Sequence, residues 1–130
     1  MSQEIGEESE PRKFEHIEVK YDGDICVVTF INKRIMGDSI IEGISTELLS
    51  IANDLDIKKI ILDFGRVEYL QHSTLLKLSD FVEKIKGRNG RIVACNLNNE
   101  LHRLFAVTEF NRFLPLVKTE KNAIDIFGIK

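Results

Sequence analysis

Gln71-His72-Ser73-Thr74 sets two hydroxyls and an imidazole side by side directly before an amphipathic run. At the start of a helix, free backbone N–H groups and the positive end of the helix dipole favour a hydroxyl that caps the helix, or a phosphate added to that hydroxyl. Ser73 and Thr74 are therefore the phosphorylation candidates, Ser73 ahead of Thr74, with capping as the competing role for both. His72, in a turn, reads as a solvated or partner-facing side chain. Catalysis finds less support. Adjacent His72 and Ser73 side chains diverge, no nucleophile-elbow glycine pattern surrounds them, and no third orienting residue is evident. His16, His72, His102, Cys26 and Cys95 lack the close paired spacing of a zinc site. Asp63 closes an apolar run, but the first strands offer only Asp22 and Asp24, at the wrong end of a hairpin, to hold the magnesium that phosphoryl chemistry there would need; it reads as a hydrogen-bonded strand terminus. Gly87-Arg88-Asn89-Gly90 closes a helix instead of opening one and lacks the Lys-Ser/Thr of a phosphate loop. No catalytic residue, metal or cofactor is expected.

The polar turn needs elements to position it. Ile60-Ile61-Leu62-Asp63 and Ile92-Val93-Ala94-Cys95 predict strands buried on both faces. Between them Leu75, Leu78, Val82 and Ile85 recur at helical spacing, with Lys77, Asp80, Glu83, Lys84 and Lys86 largely opposite, which predicts a helix from about Ser73 to Lys86. The turn thus lies at the mouth of the helix in a strand-helix-strand crossover, closed by a glycine in the left-handed cap position. Upstream, His16 to Tyr21 alternates, Asp22-Gly23 is a hairpin turn, and Asp24 to Ile31 forms a second strand. Ser39 and Glu42 make a capping box for a helix to about Asp54, with Ile41, Ile44, Leu48, Ile51, Ala52 and Leu55 inward. Downstream, Asn98 caps a short helix carrying Leu101, Leu104 and Phe105, a strand runs near Phe113 to Val117, and Thr119 caps a last helix with Ala123, Ile124 and Phe127 inward. This order predicts an α/β fold, a mixed and mostly parallel sheet of four to five strands with four helices.

With 130 residues, 43% of them hydrophobic, the chain has material for one domain and a real core. Residues 1–13, with Glu4, Glu7, Glu8, Glu10 and Pro11, read as a flexible acidic tail, and 14–130 as the domain. Eighteen basic against 21 acidic residues, a formal net charge of -3, argue against a nucleic-acid partner, which calls for concentrated positive charge. Apolar runs stop far below the roughly 20 residues of a membrane helix, and the first residues are acidic where a signal peptide is basic, so a soluble cytoplasmic protein without a membrane partner is expected. Cys26 and Cys95, each among aliphatic residues, read as small buried hydrophobes.

The strings VVTFINKRI, KKIILDFGRVEYL, LLKLSDFVEKIKGRNGRIVACN, LHRLFAVTEFNRFL and TEKNAIDIF, in this order around the polar turn, resemble the STAS domain of bacterial anti-sigma factor antagonists over about residues 14–128. The resemblance implies a STAS-like fold and a non-enzymatic regulator of transcription. Its partner would be an anti-sigma factor, a serine kinase of the histidine-kinase-like ATPase class, or a related switch protein, and it would be toggled by phosphorylation on the turn. Where switched members read Asp-Ser-Ser-Gly, this chain has Gln71-His72-Ser73-Thr74, so His72 occupies the usual acceptor position; Met36-Gly37 stands where a Leu-Asp pair is common.

The expected interaction surface joins Gln71, His72, Ser73 and Thr74, the exposed helix face with Leu76 and Lys77, and the loop Asn32 to Asp38, which carries Arg34, Met36 and Gly37. Met36 and Leu76 would anchor it, and Arg34 and Lys77 would steer an acidic partner. The alternative is a small-ligand or nucleotide sensor that uses the same helix N-terminus as an anion site.

Overall fold

The computed structural model describes residues 12–128. Its main sheet runs in the order β1 (Arg12–Lys13), β2 (Ile17–Asp22), β3 (Ile25–Phe30), β5 (Lys59–Asp63), β7 (Arg91–Cys95) and β8 (Leu116–Val117). The pairs β1/β2 and β2/β3 are antiparallel and the remaining three parallel, so the mixed sheet is present with a two-residue strand added at the β2 edge. Apart from Arg12–Lys13, the tail assigned to residues 1–13 lies outside the described residues. A separate parallel pair joins β4 (Arg34–Ile35) to β6 (Tyr69–Leu70). The helices are α1 (Asp38–Ala52), α2 (Thr74–Lys86), α3 (Asn99–Val107) and α4 (Glu120–Gly128), with one 3-10 turn at Phe110–Arg112.

Alternation along the strands divides the core in two. Cys26, Val28, Ile60, Leu62, Ile92 and Ala94 face the helices α1, α2 and α3, whereas Ile25, Val27, Ile61, Val93 and Cys95 face Ala123 and Phe127 of α4. On the first face, Phe30 stacks on Phe64 at 4.7 Å, and edge-to-face contacts continue through Phe105 and Phe110 to Phe113. This series explains a correction: the strand expected from Phe113 begins only at Leu116, because Phe113 is drawn into the aromatic row after the 3-10 turn.

Two polar clamps fasten α1. The Glu47 carboxylate accepts the backbone N–H groups of Glu15 (3.1 Å), His16 (2.9 Å) and Ile17 (3.1 Å), tying the entry of β2 to the helix. At the other end the Arg88 guanidinium donates to the carbonyls of Ala52, Asp54 and Ile57, which occupy the C-terminal exit of α1. The helix stops at Ala52, so Leu55 lies beyond it and is 68% exposed instead of inward. The Ser39–Glu42 capping box does not form: α1 opens at Asp38 after Gly37, whose N–H is taken by Gln71, and Glu42 turns to Lys77. In the turn after α2 the left-handed residue is Asn89 (φ 66°), not a glycine; Gly90 is needed for closeness, since a Cβ there would lie 2.6 Å from the Ile85 carbonyl oxygen.

Leu75, Leu78 and Val82 are buried on the inner face of α2, Leu78 to 1% exposure. Leu78→Ala should therefore cost about 2 to 5 kcal/mol in chemical denaturation; a change under about half a kcal/mol would contradict this packing.

Candidate functional site

Two segments distant in sequence meet through the β4–β6 pairing, in register Arg34↔Tyr69 and Ile35↔Leu70. Ile35 and Leu70 are both buried and seat the pair on the core. The Lys33 carbonyl accepts the N–H groups of Glu68 (2.7 Å) and Tyr69 (3.2 Å), and Gln71 N–H donates to the Ile35 carbonyl (2.9 Å). Asn98 fastens the same loop from behind: its Oδ1 caps α3 at Leu101 N–H (2.8 Å), and its Nδ2 donates to the Glu68 carbonyl (3.2 Å).

Gln71 then links the two segments through its side chain. Its Oε1 accepts Gly37 N–H at 3.0 Å and its Nε2 donates to Ser73 Oγ at 2.9 Å. Gly37 sits at φ 91°, a conformation that strains any residue with a Cβ, so the glycine in place of an aspartate suits this backbone.

The structure separates the two hydroxyl candidates. Ser73 precedes α2 in helical conformation (φ -62°, ψ -19°) and its side chain makes no capping bond. The first-turn donors are met instead by carbonyls three residues back: Thr74 N–H by Gln71, Leu75 by His72 and Leu76 by Ser73. Capping is thus taken by neither hydroxyl. Ser73 is exposed, while Thr74 is 1% exposed and its hydroxyl finds no hydrogen-bond partner among the described residues. Of the two hydroxyls, only that of Ser73 is on an exposed residue. His72 is exposed beside it, its carbonyl used by the turn.

Leu76, 71% exposed, stands one turn further, and Lys77 is held by Glu42 of α1 at 3.1 Å. Between the two helix starts runs a groove of about 430 Å³ edged by Asp38, Glu42, Ser73, Leu76, Lys77 and Asp80. With Lys77 engaged by Glu42, the uncompensated charges on this rim are Asp38 and Asp80, for which the described residues provide no ion-pair partner. Met36 is 42% exposed on the adjoining loop, and the Arg34 guanidinium lies over the Tyr69 ring at 5.0 Å from its centroid. Tyr69 and Glu42 are the residues of this surface that sequence reasoning missed, while Asp38 and Asp80 lie within the loop and the helix face expected to form it, though neither was singled out. Tyr69 had a signal, an aromatic within the VEYL string before the turn; the acids were legible only as solvated helix faces.

One group of potential metal ligands occurs among the described residues, Glu15, His16 and Glu47 with ligand atoms within 4.8 Å of one another. Glu47 there already accepts three backbone N–H groups, and His16 Nδ1 faces Asn32 Oδ1 at 3.1 Å, so the cluster reads as the clamp of β2 on α1. No described helix is long and apolar enough to cross a membrane. Asp63 is hydrogen-bonded at its strand end, accepting from Gly65 N–H (2.8 Å) and Asn96 Nδ2 (3.1 Å).

A family model described as the STAS domain matches residues 16–123. An anti-sigma-factor antagonist (STAS) domain protein from Planctomyces limnophilus has a similar structure, with TM-score 0.77 and 19% identity over 87% of this chain and 98% of its own. The anti-sigma factor antagonist SpoIIAA in its unphosphorylated form gives TM-score 0.71 at 17% identity, covering 88% of this chain and 98% of that one. The phosphorylated form of the Bacillus cell fate determinant SpoIIAA gives 0.66 at 15% identity, covering 85% and 98%. At these identities the likeness establishes the fold. A search of curated proteins finds no match.

Two substitutions test the site's construction. Gln71→Leu removes both side-chain bonds and should speed exchange of the Gly37 amide while costing about 0.5 to 1.5 kcal/mol in unfolding free energy. Thr74→Val replaces an unpartnered buried hydroxyl by a methyl and should raise thermal stability, by about 1 kcal/mol; a loss of that size would show that the hydroxyl is bonded.

Proposed function

The chain belongs to the STAS domain family, and from that premise we propose that it is a non-enzymatic regulatory module acting in the manner of an anti-sigma factor antagonist. Its partner would be an anti-sigma factor or serine kinase of the histidine-kinase-like ATPase class, met in the cytoplasm, with transcription as the process regulated. The observation that supports this most is the joint made by Gln71, which ties Ser73 Oγ to the Gly37 backbone, with Leu76 and Met36 exposed on the two segments it joins. An exposed leucine beside an oriented hydroxyl suits recognition by a protein: the apolar anchor supplies affinity and the polar neighbours fix register.

The charge of this face changes the expected partner. Lys77 is engaged by Glu42 and Arg34 is stacked on Tyr69, so the groove offers Asp38 and Asp80 to an incoming group, and a basic contact fits it better than an acidic one. The same acids disfavour an anion beside the start of α2, which weighs against the nucleotide-sensor alternative at this turn. A phosphate on Ser73 would sit next to Leu76 within the contact area. Desolvating that dianion on binding is costly, so modification weakens the complex.

Incubation with ATP and a cognate kinase, followed by peptide mapping, should either place label on Ser73 and lose it in Ser73→Ala, or leave the turn unlabelled with partner binding retained. The second outcome is the behaviour of a STAS domain whose degenerate turn has lost its switch and binds constitutively. Label on a residue outside 71–74 would contradict the assignment. Leu76→Ala should weaken partner binding by about 1 kcal/mol or more, roughly fivefold, in calorimetric titration, while Leu55→Ala, equally exposed but beyond the far end of α1, should leave it unchanged. Equal effects of the two substitutions would remove Leu76 from the interface.

A further inference from the structure

Polar ties join the start of α1 to the start of α2 on both sides of the groove between them. On one side Gln71 Oε1 accepts Gly37 N–H at 3.0 Å; on the other Lys77 Nζ reaches Glu42 Oε2 at 3.1 Å. The second tie stands beside the exposed hydroxyl. Ser73 has helical dihedrals (φ -62°, ψ -19°), so the spacing of α2 already holds from Ser73 to Lys77. Residues four apart on a helix are neighbours, with about 5 to 6 Å between their Cβ atoms. Both Ser73 and Lys77 line the groove, where the other charges are Asp38 and Glu42 from α1 and Asp80 from α2. Lys77 is thus the one cation among the described lining residues, and His72, next to Ser73 in the chain, does not line it.

We infer that Lys77 is the switching residue of this surface: when Ser73 carries a phosphate, the Lys77 ammonium leaves Glu42 and pairs with the phosphate, so that an ion pair between helices becomes one within α2. The exchange rests on the reading of Ser73 as acceptor, in which the γ-phosphoryl group of ATP passes to Ser73 Oγ, ADP leaves and the hydroxyl proton goes to solvent. Charge decides it. A phosphoserine brings roughly 1.5 to 2 negative charges at neutral pH and three strong acceptor oxygens, against the single charge of Glu42. Releasing Glu42 costs little, because its side chain is already 65% exposed and stays hydrated. Lys77 reaches the phosphate by turning its side chain along its own helix.

The exchange changes the α1 side of the groove, where no atom is modified. Glu42 loses its cation and joins Asp38, one turn back on the same helix, as an unpaired acid. The Gln71 bond to Gly37 does not involve the Ser73 oxygen and persists, so the loop before α1 stays in place while the tie from Glu42 is lost. A partner that reads α1 then meets two acids where the unmodified chain offers one acid and a neutralised pair.

The full chain with phosphoserine installed at position 73 during translation tests the exchange without any kinase, so a turn that no kinase labels and a lysine that does not move are separate results. The second ionisation of the phosphate, at about pH 6 for a free phosphoserine, is followed by phosphorus NMR. Lys77→Met should raise its midpoint by about 0.2 to 0.4 pH unit, the size of one exposed ion pair between residues four apart, and Lys77→Arg should restore it. Lys84→Met, an exposed cation two turns further along α2, should leave the midpoint in place. A crystal structure of the same phosphoprotein should show Lys77 Nζ within about 4 Å of a phosphate oxygen and beyond that distance from Glu42. Lys77 still paired with Glu42 in that structure, a midpoint unmoved by Lys77→Met, or an equal shift in Lys84→Met overturns the exchange.

Discussion

The parallel pairing of Arg34–Ile35 with Tyr69–Leu70 is only two residues long, yet the loop before α1 and the turn before α2 are positioned through it. So short a ladder has little stability of its own, and its strength comes from what lies beneath. Ile35 and Leu70 are nearly fully buried, and removing such side chains from water contributes about 1.5 to 3 kcal/mol each, more than the net gain from a few backbone hydrogen bonds. The core therefore fixes the pair, and the pair fixes the surface. Once Ile35 is seated, Gly37 N–H comes within reach of Gln71, and the two helix starts converge on one groove.

The two sides of the sheet divide the work unequally. Three helices and the aromatic row share the first face, where the loss of one contact is buffered by many others. The second face depends on one nine-residue helix and a smaller apolar cluster. Across its end, register aligns Glu18, Thr29, Asp63 and Cys95 on successive strands, so an otherwise apolar surface finishes in a polar row. The attachment of α4 rests on Ala123 and Phe127, with Glu120 at its first residue paired to Lys20 of β2 at 3.2 Å.

What could be read in advance follows from how local each signal is. The buried strands at Ile60–Asp63 and Ile92–Cys95, the inner face of α2 and the hairpin at Asp22-Gly23 rest on periodicity or on a two-residue turn, and all are present. Features fixed by a distant partner were misread. Ser39 and Glu42 have the spacing of a capping box, but Gln71 and Lys77 claim Gly37 and Glu42 first. Leu55 continues the apolar period of α1, but Arg88 occupies the carbonyls at which the helix ends. Lys77 looks like a free cation in a linear sequence and is half of an interhelical ion pair in space. The same limit applied to the turn: its location was legible, whereas the burial of Thr74 and the exposure of Ser73 required the orientation of α2 on the sheet.

Gln71 gives the departures from the familiar STAS turn a common physical basis. A carboxylate at this position could accept from Gly37 N–H but has no hydrogen to offer Ser73; the amide does both at once. Because Ser73 Oγ is the acceptor in that bond, its own hydrogen is not used by Gln71 and can point to an incoming base or carbonyl. The glycine at position 37 belongs to the same arrangement, since its φ of 91° turns the N–H toward Gln71 without the strain a side chain would bring. Replacement of both acids of the usual pattern therefore leaves the turn ordered. It exchanges a negatively charged joint for a neutral one, and the negative charge on this face lies instead at Asp38 and Asp80 in the groove between the helices.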